Sequence, residues 1–160
     1  MQTTAEILQY KLENSFSGQP WYGTAIYHII DNVSFEAAYE KPSGAAHNIA
    51  EILLHMISWT EEVLDRLNEK PAGVPLSGDW PETGAPDEQK WQMYKDDLKL
   101  VNVNLVKAIQ DLLSEKWDQP IIDERNTEPV TTYAELIDGF VQHQIYHAGQ
   151  IAILNEIIVG

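Results

Sequence analysis

The sequence predicts an all-α protein: a four-helix bundle with a short extra helix at its N-terminus. Three observations carry that reading. Apolar residues recur in steps of three and four along several segments. Capping-box patterns open two of them, and proline- and glycine-rich stretches separate them. Residues 1–160 form one domain, of which 1–18 are the N-terminal extension helix.

Taken in order, Thr3-Thr4-Ala5-Glu6 fits the S/T-x-x-E box and leads into Ile7, Leu8, Lys11 and Leu12, a short amphipathic stretch that stops near Ser17-Gly18-Gln19-Pro20. After that break Trp21, Ala25, Ile29 and Val33 recur at helical spacing. A longer helix, about 46–69, carries Ile49, Ile52, Met56, Trp59, Val63 and Leu67 on one stripe and ends at Lys70-Pro71-Ala72-Gly73. Residues 71–87 form a loop long enough to cover something, with Trp80 expected to order it. From Pro86 the stripe resumes through Trp91, Tyr94, Leu98, Val101, Leu105, Ala108 and Leu112. Residues 118–130 lack helical period, and Ile121-Ile122 suit a brief extended pairing. The last helix opens at the box Thr132-Tyr133-Ala134-Glu135 and runs towards Ile158, with Leu136, Phe140, His143, His147, Ile151 and Leu154 along one side.

Composition narrows the chemistry. With 44% hydrophobic residues the chain can bury a core of its own. Charged residues interrupt every apolar run, and the N-terminus lacks the basic-then-apolar pattern of a signal peptide, so the expectation is a cytoplasmic protein without a membrane partner. The formal charge of -15 repels phosphate backbones, which argues against a nucleic-acid partner. No cysteine is present, so thiol nucleophiles, zinc fingers and iron–sulfur clusters are excluded, and any metal must be held by His, Asp or Glu.

His143 and His147 stand at i and i+4, close enough for two imidazoles to reach one ion, and His55 lies on the apolar stripe of its own helix. Three inward imidazoles need partners, and a divalent cation satisfies all three at once. The competing reading is three separate core histidines, each satisfied by a carbonyl or a neighbouring side chain, because HxxxH spacing is common. His47, two turns before His55, is too far to share an ion with it and suits a helix N-terminus; His28 is also outside the expected ligand set. His143-Gln144-Ile145-Tyr146-His147 has the spacing of the HExxH metalloproteases, yet Gln144 stands where the general-base glutamate is needed, which excludes that mechanism. Trp21, Trp59 and Trp80 read as core residues first and as pocket walls second, Glu51 as an acceptor able to orient His55, and Tyr146 as a packing residue.

Around these histidines the chain resembles the DinB-like superfamily of small metal-binding helical bundles. The resemblance lies in Gln19-Pro20-Trp21-Tyr22-Gly23, in Gly44-Ala45-Ala46-His47 through His55-Met56, in Asp79-Trp80-Pro81 and in His143 through Ile151. It implies that His55, His143 and His147 are the metal ligands; imidazole ligation suits zinc, nickel or iron as the ion. It also implies a metal-dependent transferase that uses a low-molecular-weight thiol on a small-molecule electrophile, and a homodimer. A metal-dependent hydrolase and a non-catalytic metal- or small-molecule-binding dimer use the same ligands and stay open.

Overall fold

The computed structural model describes residues 1–160, and its regular elements are all helices: α1 (Thr4–Ser17), α2 (Ile26–Asp31), α3 (Phe35–Tyr39), α4 (Ile49–Leu67), α5 (Glu88–Asp111) and α6 (Tyr133–Val159), with a 3-10 turn at Ser114–Lys116. The sheet-like pairing is one isolated bridge, Pro120 with Thr132. Ile121 N–H adds a bond to Thr131 O, and Ile122 O accepts from Ala72 N–H, so the extended segment ties the loop after α4 to the start of α6.

Both expected capping boxes form. Thr3 accepts from Glu6 N–H while the Glu6 carboxylate takes Thr3 N–H, and Thr132 and Glu135 repeat the exchange. A third box, Asn48 with Glu51, opens α4, with Asn in place of the Ser or Thr of the usual pattern. Glu69, at φ 61°, closes α4 in the left-handed region, and Lys70 N–H returns to Asp65 O at 3.0 Å as in a Schellman turn.

The four long helices are α1, α4, α5 and α6, and α1 packs against both α5 and α6 as a full member of the bundle. The stretch from Trp21 to Val33 does not form the long helix its spacing predicts. Pro20 and Gly23 hold residues 21–24 in a turn, Trp21 is fully exposed, and α2 begins only at Ile26. The apolar period there serves two short helices, α2 and α3, whose Ile26, Ile30, Ala37 and Ala38 enter the common core.

The stripes of α4 and α6 face each other. Ile49, Ile52, Leu53 and Met56 meet Ile137, Phe140, Val141 and Ile151 in one core cluster. Within α4, Glu62 and Arg66 are buried as well, paired at 2.9 Å. Glu62 also accepts Gly73 N–H at 2.7 Å, and Arg66 Nη2 donates to Gly73 O at 3.1 Å. This grip on both backbone groups of one residue fixes where the chain leaves α4 and starts the loop that roofs the histidines. No helix is long and apolar enough to cross a membrane.

Candidate metal centre

Helical geometry dictates the arrangement. His143 and His147 lie one turn apart on α6, and His55 enters from the facing α4. The structure brings the three together: His143 Nε2 lies 3.2 Å from His55 Nε2 and 3.1 Å from His147 Nε2. One nitrogen from each falls within 4.8 Å of the others, a group that could hold a metal ion. Imidazole nitrogens about 2.1 Å from an ion stand about 3.0 Å apart at a right angle and about 3.4 Å apart at a tetrahedral angle, so both contacts have the length of a coordination edge.

The other ring nitrogens decide which way the lone pairs point. His55 Nδ1–H donates to Asp79 O at 2.6 Å, with Asp79 Oδ1 at 3.3 Å, and His147 Nδ1–H donates to Gln150 Oε1 at 2.7 Å. Both Nε2 atoms are therefore acceptors. His143 Nε2 touches both of them and carries at most one proton, so it can satisfy only one. Protonating the cluster is no remedy. Burial, then the neighbouring His147 and His55, pull His143 down from 6.5 to about 4, and burial pulls His147 down as well. A cation among the three Nε2 atoms resolves the conflict, and the donor set fits one. Gln144, completely buried, donates from Nε2 to Met56 O at 3.4 Å and lies 3.4 Å from His143 Nδ1, while its Oε1 has no partner.

Asp79, rather than Glu51, orients His55. The Glu51 carboxylate is engaged at the α4 N-cap and lies 3.4 Å from His47. Asp79 is 24 residues from His55 in sequence, and only the path of the loop joins them. The same carboxylate accepts Trp59 Nε1–H at 2.7 Å. Trp80 slides between two imidazoles, its ring centroid 3.6 Å from that of His47 and 3.9 Å from that of His55, nearly parallel to both. His47 thus sits just before the α4 N-cap, outside the triad, and holds the roof; His28 is exposed on α2.

Trp80, which also packs against the core, and Trp59 each wall a cleft. Ala46, His47, Ile52, Trp80, Tyr146 and His147 line an apolar cleft of about 360 Å³ against the triad. Tyr146 is exposed instead of packed; its ring stands 5.0 Å from His147, and its hydroxyl accepts from Gln150 Nε2 at 3.3 Å.

A helical bundle with three converging imidazoles under an aromatic roof defines a class, the small bundles in which facing helices supply donors that could hold a metal ion. Within that class the chain belongs to the DinB superfamily, whose family model matches residues 24–151. No curated protein and no solved structure matches the chain.

Proposed function

We propose that the protein is a metal-dependent transferase that joins a low-molecular-weight thiol to a small-molecule electrophile. The observation that carries this reading is a three-nitrogen donor set, with no fourth protein ligand in the group, bordered by an apolar cleft. Structural metal sites are closed by four protein donors, whereas catalytic sites keep a position for water or substrate.

A divalent ion held by three neutral donors keeps its full charge and lowers the pKa of a thiol or water at its open position. The remaining tasks belong to the chain. His55, His143 and His147 supply lone pairs, burial disfavours protonation of His143 and His147, and Asp79 and Gln150 hold two of the rings in register. Ile52 and Trp80 exclude water around an apolar electrophile, and the Tyr146 hydroxyl at the cleft edge is free to donate to the leaving group. In the transfer a sulfur–carbon bond forms as the bond from carbon to the leaving group breaks; the electron pair departs with that group, and the thiol proton ends on it or in solvent. The cysteine-free chain draws its sulfur from the cosubstrate.

The same reading includes a homodimer. Tyr146, Ile153 and Ile157 form an exposed stripe on α6, continuous with the cleft through Ile153. The test of function is elemental analysis of untagged protein followed by thiol-consumption assays. Cysteine, glutathione and coenzyme A are each paired with an epoxide and an aryl halide, with and without chelator. Chelator-sensitive thiol consumption supports transfer. Chelator-sensitive turnover that persists without thiol replaces it with hydrolysis, and activity in metal-free protein removes the metal from the chemistry.

A further inference from the structure

A second cleft, of about 260 Å³, opens on the triad and shares no residue with the first; Trp59, Arg66, Glu135, Gly139, Phe140 and His143 are on its wall. Its chemistry differs. The first cleft has no carboxylate or guanidinium on its wall, while this one has one of each. Arg66 commits Nε to Glu62 and Nη2 to Gly73 O, and Nη1 makes no hydrogen bond in the chain. Glu135 commits Oε2 to the α6 cap, and Oε1 makes none.

Gly139, exposed on α6, leaves one wall of this space open. It sits in the interior of α6, one turn before His143, where glycine is a poor helix former. No positive φ requires it, and a Cβ built there meets nothing within 4 Å. Packing therefore gives no reason for a glycine. A side chain at this position would stand in the cleft beside His143, because residues four apart share a helix face.

We infer that this second cleft binds the zwitterionic headgroup of an amino-acid-type thiol, its carboxylate on Arg66 and its ammonium on Glu135, and so brings the sulfur to the triad from the His143 side. The inference rests on the transferase reading for its sulfur, not for its binding site. Charge selects the zwitterion: a chain of formal charge -15 repels a net-anionic thiol and leaves a neutral one free to enter. Trp59 and Phe140 give the methylene between the charges and the sulfur an apolar path. The electrophile then has the uncharged cleft by His147 to itself.

The experiment is calorimetric titration of the protein as purified with S-methylcysteine, whose capped sulfur cannot be transferred. Its decarboxylated analogue, 2-(methylthio)ethylamine, and its deaminated analogue, 3-(methylthio)propionate, are run in parallel. Wild type is expected to bind S-methylcysteine and each analogue about tenfold more weakly, the loss of one charge-assisted hydrogen bond. Gly139→Leu, a better helix former, is expected to lose binding with its metal content unchanged. Glu135→Gln, which keeps the capping box, is expected to erase the preference over 3-(methylthio)propionate alone. No binding by wild type, equal binding of the three ligands, or wild-type affinity in Gly139→Leu overturns the inference. Binding that follows this pattern in a protein without thiol transfer leaves the cleft assigned and ends the transferase reading instead.

Discussion

Replacing His147 by Ala should separate the metal from the fold. The substitution removes one of three Nε2 atoms and leaves His55 and His143, 3.2 Å apart, as a two-donor remnant. It also frees Gln150 from its 2.7 Å bond. A core cluster of 32 buried residues, none of them these histidines, holds the bundle, so the far-UV circular dichroism of the variant should match that of wild type. Metal that binds only the folded chain adds RT ln(1 + [M]/Kd), about 2.7 kcal/mol at a hundred times Kd. For a chain of this length that raises the melting temperature by about 5–11 °C. If loss of one ligand weakens the site about a hundredfold, the same metal concentration only equals the new Kd. The gain then falls to about 0.4 kcal/mol, or about 1–2 °C. The assay is differential scanning calorimetry of metal-loaded and chelator-treated samples, with bound metal measured on each and His28→Ala as a control outside the triad. Comparing loaded with stripped samples of each protein cancels the packing lost with the imidazole. Equal metal-induced shifts in wild type and His147→Ala would refute the three-histidine site. A stripped wild type without a cooperative transition would make the metal part of the fold itself.

Three further outcomes follow from the same geometry. Glu62→Ala leaves the buried Arg66 guanidinium without its carboxylate and releases Gly73, so urea unfolding should give a loss of about 3–5 kcal/mol; a loss under 1 kcal/mol would show that the grip on the loop is incidental. In metal-free protein the unfolded chain binds a proton at His143 near pH 6.5 and the folded chain only near about 4. Stability should therefore be fully present above that window and fall as the pH is lowered through it; unfolding free energies flat across the window would contradict the burial of His143. Sedimentation at tens of micromolar should give a dimer, and Ile153→Glu with Ile157→Glu a monomer; a monomeric wild type would remove the α6 stripe as an interface.

Much of this was legible in the sequence wherever one residue type at one spacing has one physical use. Thr3 with Glu6 and Thr132 with Glu135 mark helix starts, because few other local arrangements satisfy those orphan N–H groups. The i, i+4 pair on α6 and the stripe position of His55 placed three rings on facing helices. What stayed hidden depends on chain path. Asp79 reaches His55 because the loop folds back over α4, and no periodicity encodes that return. Glu62 and Arg66 look like an ordinary exposed i, i+4 pair; they are buried because the Gly73 peptide covers them. Trp21 follows the apolar period of its segment yet is exposed, since Pro20 and Gly23 break the helix before the period can act.

The Trp80 sandwich has an optical consequence. An indole held face to face between two imidazoles, 3.6 and 3.9 Å from their centroids, is well placed for electron-transfer quenching, and one of those rings belongs to a candidate ligand. Filling the triad polarises that ring, while His47 on the opposite face lies outside the metal group. Among the five tryptophans, the Trp80 contribution, isolated as the difference between wild type and Trp80→Phe, should follow the occupancy of the site. The roof over the histidines thereby becomes an intrinsic emission probe, with no label to attach.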